Sequence, residues 1–199
     1  MQTRAQIENT APPIQSSRPK TVKRTVRMDF DVSEKLEDLA SKQRLAFNSL
    51  LNKALRRYVD WEVFAESFGL ITIERRVWKM LLSSLTELEA RELGRRAGAQ
   101  STMDFVTYYY HKFDFDSVIR SFQLLGAEYM RNFQFVDFGT GEGKRTVVLR
   151  HAMGPAASAF YSEAIRTLCE RLQVSTEIEE SDEQITIRIA SAPSEEQKT

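Results

Sequence analysis

Val26, Met28, Phe30 and Val32 alternate with Arg27, Asp29 and Asp31, and this short run constrains the chain more than any other. Period two predicts a strand with one buried face. The pattern stops at Ser33, a good helix N-cap, with Glu34 beside the positive end of the helix dipole. Leu36, Leu39 and Ala40 then give a helical stripe. A second helix is expected from near Asn48, where Leu50, Leu51, Ala54, Leu55, Tyr58 and Val59 form a broad apolar face. A lone strand has two unpaired edges, and roughly 40 residues cannot bury this much apolar surface alone. Two copies solve both problems: strands 24–30 pair antiparallel across a symmetry axis, above a shared core of four helices.

The run KRTVRMDF, then SEKLEDLA, then LAFNSLLNKALRRYV resembles the ribbon-helix-helix transcriptional regulators, the Arc, MetJ and CopG class, over residues 22–62. The resemblance implies a homodimer, or a higher even oligomer, that lays a two-stranded ribbon in the major groove of double-stranded DNA. With Val26, Met28 and Phe30 turned to the core, Thr25, Arg27 and Asp29 face the bases. Arg27 suits a bidentate pair with guanine, Thr25 a thymine methyl or a base acceptor, and Asp29 a cytosine amine. Lys23 and Arg24 are expected on the DNA backbone. The family also grips phosphate at the N-terminus of its second helix, here Phe47, Asn48 and Ser49. Two positions depart from the pattern: Asp29 is an acid where basic or neutral polar residues are usual, and Ala46 stands where Ser or Thr is common.

Charge distribution agrees with that polarity. The 199-residue chain has no net charge, yet residues 1–27 carry six basic side chains against Glu8 alone. Residues 175–199 carry seven acids against Arg188 and Lys198. An anionic partner is therefore expected at the front. A single cysteine, Cys169, excludes an internal disulfide and suits a reducing compartment, so a cytoplasmic protein is expected. No apolar run approaches the ~20 residues of a bilayer span, and no membrane partner is expected.

Polar, proline-containing residues 1–20 read as a disordered arm and 192–199 as a tail. The ribbon-helix-helix module is expected over 21–65, and a second domain, for sensing or oligomerisation, over 71–191. In the latter, Thr72 is a candidate cap for a helix carrying Val77, Trp78, Leu81, Leu82 and Leu85. Thr86 with Glu89 forms a capping box for another, closed by Gly94 or Gly98. Asp116 or Ser117 caps a third. Strands are expected at 133–138 and 145–150, then a helix from Gly154–Pro155, then a hairpin turning at Ser181–Asp182. The fold class is therefore α+β: a ribbon-helix-helix, a helical segment and a ββαββ, sandwich-like domain. That ending resembles small-molecule sensor domains of the vinyl-reductase and haem-nitric-oxide-binding kind, without the zinc-binding cysteines of the former.

VDFGTGEG, residues 136–143, resembles the glycine loop of adenosylmethionine-dependent methyltransferases. In that family the loop opens a helix, whereas here KRTVVLRH comes next, which is β-branched and reads as a strand. Only 56 residues come after Gly143, too few for the rest of a doubly wound sheet. A phosphate-loop reading lacks its first glycine, since Phe138 stands there, and has Arg145 in place of Ser or Thr. The loop is expected to be a turn between two strands, and no cofactor is expected.

Eleven of the 20 aromatic residues lie between Phe105 and Phe138. Most of them serve as core on the usual reading. The alternative is a pocket for a small-molecule effector, with Tyr108, Tyr109, His111 and Phe113 as its candidate lining. His111 lies close in sequence to Asp114 and Asp116. Two histidines and one cysteine nevertheless supply no obvious metal site, and no nucleophile–base–orienter set can be assembled. The sequence thus points to a DNA-binding regulator rather than an enzyme. An antitoxin-like partner protein, a non-specific architectural DNA binder and a methyltransferase remain as alternatives.

Overall fold

The computed structural model describes residues 21–139 and 145–189, which divide into two compact units at Leu51 and Asn52. The expected arm and tail, Gly141 and Gly143 lie outside the described residues.

In the first unit, residues 21–29 are neither strand nor helix. Helix α1 is Phe30–Lys42, with Asp29 rather than Ser33 at its N-cap. The expected ribbon strand is therefore not formed in the single chain, and Phe30 and Val32 belong to helix. The physical reason is pairing: a solitary strand leaves its whole ladder of N–H and C=O groups without partners, whereas a helix satisfies them locally. A left-handed turn at Arg44, φ 54°, closes α1. There Leu45 N–H donates to the Ala40 carbonyl and Arg44 N–H to that of Ser41, a Schellman arrangement. Helix α2, Phe47–Arg57, starts one residue before the expected position.

The division between the units falls within α2, whereas the sequence suggests a boundary between residues 65 and 71. The reason is that the chain stays helical past the end of α2 and enters a core there. A π-helical turn, Tyr58–Glu62, leads straight into α3, Val63–Ser67. Trp61, Phe64 and Ala65 are then buried in a cluster with Phe105, Val106, Val118 and Leu125. Gly69, at φ 72°, ends the run as expected, with Leu70 N–H donating to the Ala65 carbonyl.

Helix α4 spans Arg75–Ser83 and is capped by Glu74, not Thr72. Helix α5, Glu87–Arg96, has the expected capping box of Thr86 and Glu89. It does not close at Gly94 or Gly98. A π-helical turn, Ala97–Thr102, carries it into α6, Met103–Tyr110, which ends at His111 in the left-handed region. These glycines serve packing instead. A Cβ on Gly94 would lie 2.1 Å from the Phe160 carbonyl oxygen, and one on Gly98 2.4 Å from that of Ala164. One helical turn apart, they let α5 meet the backbone of a later helix directly. Helix α7, Phe115–Ser121, is capped by Asp114, whose carboxylate accepts from Ser117 N–H, rather than by Asp116 or Ser117. It continues as a π-helical turn over Phe122–Tyr129.

The remainder is the expected ββαββ. Strands β1 (Gln134–Gly139) and β2 (Arg145–Arg150) pair antiparallel, then comes α8 (Pro155–Arg171), the helix that Gly94 and Gly98 approach. The hairpin of β3 (Thr176–Glu180) and β4 (Gln184–Ile189) completes the sheet. The strand order is β1-β2-β4-β3, antiparallel throughout, because β2 and β4 also pair. Helix α8 serves two clusters. Ile165 and Cys169 join Val147, Leu149, Ile185 and Ile187 of the sheet, while Leu168 joins the aromatic helical cluster. The chain is thus α+β, and in its second unit the helices and the antiparallel sheet share α8 as their common wall.

Candidate functional site

A largely apolar cavity of about 260 Å³ lies in the second unit, between the helices and the sheet. The Phe133 ring forms part of its wall. It rests on the backbone of Gly126, where an added Cβ would come within 2.3 Å of it, and stands edge-on to Tyr161 at 5.6 Å. Trp78, Phe105, Phe122 and Leu149 also line the space. Its polar groups are few. Tyr161 Oη accepts a long hydrogen bond from Trp78 Nε1, at 3.4 Å, and burial pushes the phenol up to about 12. Ser121 Oγ donates to the Val118 carbonyl, leaving its lone pairs for an occupant. A mostly apolar wall with a few convergent polar groups is the usual composition of a small-molecule site.

Beside the cavity is a polar cleft of about 520 Å³, and the two share Asn132 and Phe133. Arg75, Arg131 and Arg150 line this cleft. Arg75 Nη2 donates to the Arg131 carbonyl at 2.6 Å, which ties α4 to the turn before β1. Arg150 Nε donates to Gln184 Oε1 at 3.0 Å. The register places Gln134, Arg150 and Gln184 in one row across β1, β2 and β4.

His151 forms the buried floor of the cleft, and its bonds fix its tautomer. Nδ1 accepts from Met153 N–H, so the proton sits on Nε2, 3.1 Å from Ser158 Oγ. Ser158 Oγ in turn donates to the Ser181 carbonyl. Burial holds the His151 pKa below its ordinary value, partly offset by Glu183, so the ring is neutral near pH 7. The hydroxyl proton of Ser158 is committed to a carbonyl, and the trio joins β2, α8 and the β3–β4 turn.

The candidate DNA-contacting residues are exposed, apart from Phe47, which is half-buried. Lys23, Arg24, Thr25 and Arg27 precede α1, while Asp29 caps it. Phe47 opens α2, and Asn48 and Ser49 are exposed in its first turn, which contains no acid.

The candidate pocket residues are dispersed. Tyr109 packs edge-on to Phe64 and donates to the Asp60 carbonyl at 2.8 Å, and burial pushes its phenol up to about 12. Phe113 packs against the same helical cluster, Tyr108 is half exposed, and His111 is exposed at the end of α6. None of the four lines the apolar cavity, although Phe105, Phe122 and Phe133 from the same aromatic segment do. Asp114 pairs with Lys112 at 2.6 Å, and Asp116 lies 3.7 Å from Arg145. Among the described residues no three of His, Cys, Asp or Glu converge as metal ligands. Cys169 is a small core residue, and burial pushes its thiol up to about 11.

Asp137 and Gly139 of the glycine motif lie in β1, antiparallel to β2. The Asp137 carboxylate takes two hydrogen bonds from Arg145, at 3.0 Å from Nε and 2.5 Å from Nη2. The motif's acid therefore clasps the hairpin. Among the described residues no helix is long and apolar enough to cross a membrane. Compared with protein-family models, curated proteins and solved structures, the chain matches none.

Proposed function

We propose that the protein is a cytoplasmic, homodimeric, sequence-specific DNA-binding regulator of transcription, with a second unit that takes a small-molecule effector. The observation that carries the reading is a set of apolar side chains left uncovered in the first unit and, separately, at the start of the second. Val22, Val26 and Phe30 are 79%, 71% and 82% exposed in and just after the basic segment. Leu55, Tyr58 and Val59 along α2 and its continuation are 53%, 60% and 67% exposed. Six such side chains gain on the order of 10 kcal/mol when covered, at ~1.5–3 kcal/mol each. A second copy of the same segment supplies that cover and a partner for the strand. Residues 24–30 then form the ribbon, and Phe30 leaves the first turn of α1 to join its core face. Lys23, Arg24 and Arg27 form no ion pair with any described residue, which leaves them available for phosphates and bases. The cavity of the second unit supports the effector half of the reading.

Selection of bound duplexes from a random pool, followed by titration of the enriched sequence, tests the proposal. Arg27→Ala should weaken the enriched sequence by about 1–3 kcal/mol and relax preference at one base per half-site. Lys23→Ala should weaken all sequences alike and flatten the salt dependence. Equal affinity for every duplex would indicate an architectural binder, and a folded monomer in sedimentation would remove the ribbon.

A further inference from the structure

We infer that the effector is an amphipathic organic acid, its apolar body in the cavity and its carboxylate in the arginine cleft. This deepens the effector half of the proposed function, and its test uses no DNA, so the two can fail separately. The apolar cavity and the polar cleft meet at Asn132 and Phe133, so one molecule can occupy both. Charge gives the head group its sign. Arg75, Arg131 and Arg150 line the cleft with Glu183 as its one acid, three guanidiniums against one carboxylate. Among the described residues none of the three is within ion-pair distance of an acid, although most arginines of the second unit are so paired. Lys79, whose ammonium donates to the Ala152 carbonyl at the rim at 3.0 Å, adds to the positive field. Each bond already made by Arg75 and Arg150 uses a neutral acceptor, which orients the fork without neutralising it. The amides of Gln134 and Gln184 flank Arg150 in the sheet row; Gln184 Nε2 donates one hydrogen to Thr186 Oγ1 and keeps its second, and Gln134 offers a further donor.

The body of the ligand is set by the cavity. Its walls are rings and aliphatic side chains, and its volume admits one aromatic ring or a chain of several methylenes. Met130, which lines the cavity and is 42% exposed, stands at its rim.

Calorimetric titration of the full-length chain with 4-phenylbutyrate, octanoate and the neutral 4-phenylbutanol tests the inference. At least one acid should bind tenfold or more tightly than the alcohol. Arg150→Gln should remove most of that difference and leave the alcohol unchanged. Arg131→Gly supplies a second variant that cannot be confused with misfolding. Arg131 has φ 56°, so glycine relieves backbone strain while removing the guanidinium. It should melt higher than the parent yet bind the acid more weakly. Met130→Trp should weaken acid and alcohol together by filling the rim. Equal binding of acid and alcohol, or acid binding indifferent to both arginine variants, overturns the inference. So does binding of inorganic phosphate with no binding of either acid.

Discussion

Replacing Gly94 with alanine sets two physical effects against each other with opposite signs. In an exposed helix interior the change stabilises by about 1 kcal/mol, because alanine restricts the unfolded chain and suits the helix. Here the new methyl would sit 2.1 Å from the Phe160 carbonyl oxygen and 2.9 Å from its carbonyl carbon. Both are backbone atoms of α8, so no side chain can swing aside. Restoring contact at ~3.5 Å requires α5 to retreat by over an ångström from α8, the helix that both clusters share. Overpacking of this kind costs about 1–3 kcal/mol, and a backbone obstacle places it at the upper end. The net expectation is a loss of about 2 kcal/mol, or roughly 4–8 °C in melting temperature for a unit of this size. Thermal unfolding followed by circular dichroism and tryptophan fluorescence measures it. Gly139→Ala is the control, since nothing lies within 4 Å of its added Cβ. A Gly94→Ala protein that melts at or above the parent would refute the close-approach argument. The double variant with Gly98→Ala should cost less than the two single losses added together, because one retreat of α5 relieves both clashes.

Gln173, at φ 56°, closes α8 with Val174 N–H donating to the Cys169 carbonyl, so Gln173→Gly should stabilise by about 1 kcal/mol. Denaturant titration checks this, and a destabilised variant would contradict it. For His151 the folded pKa lies below the ordinary value of 6.5, so between the two values the unfolded chain binds more protons. Stability should therefore be full above pH 6.5 and fall as pH drops through that value toward the folded pKa. Melting temperatures of the parent and His151→Gln across roughly pH 5–8 test this, and the variant should lose that part of the pH dependence.

Where local chemistry decides, the sequence is readable. The Thr86–Glu89 box, Gly69 after α3 and proline at the start of α8 each act within a turn of their position. Both hairpins are visible as alternation punctuated by turn residues. Errors arise where partners are distant. Gly94 and Gly98 look like helix stops, and only α8, much later in the chain, shows what their missing side chains admit. Asp114 displaces Asp116 and Ser117 as a cap because its carboxylate reaches Ser117 N–H from the residue just before the helix. The aromatic segment is legible as a segment, but which rings face the cavity depends on how α6 and the π-helical stretch after α7 are rotated and on how the turn before β1 runs. Phe105, Phe122 and Phe133 therefore line it while Tyr109 and Phe113 do not. Arg75, Arg131 and Arg150 have no pattern in sequence. The one local signal is the absence of an acid at i±3 or i±4 around the helical Arg75, where an ion-pair partner on the same helix face would stand.

The strand order β1-β2-β4-β3 has a consequence for the route by which the sheet assembles. Each hairpin closes a short loop, an event of microseconds that either half can complete alone. Joining the halves is different, because the central seam brings Arg150 opposite Gln184 across 34 residues. Helix α8 occupies half of that interval and spans it stiffly, at ~1.5 Å per residue, so less chain remains to be ordered once it has formed. The β2–β4 seam should then be the slow step, and substitutions at Val147 or Ile187 should alter the folding rate more than those at the outer strands. Before that step each half presents one apolar face and a bare inner edge, so the interval between hairpin closure and seam formation is when this chain is most exposed to aggregation.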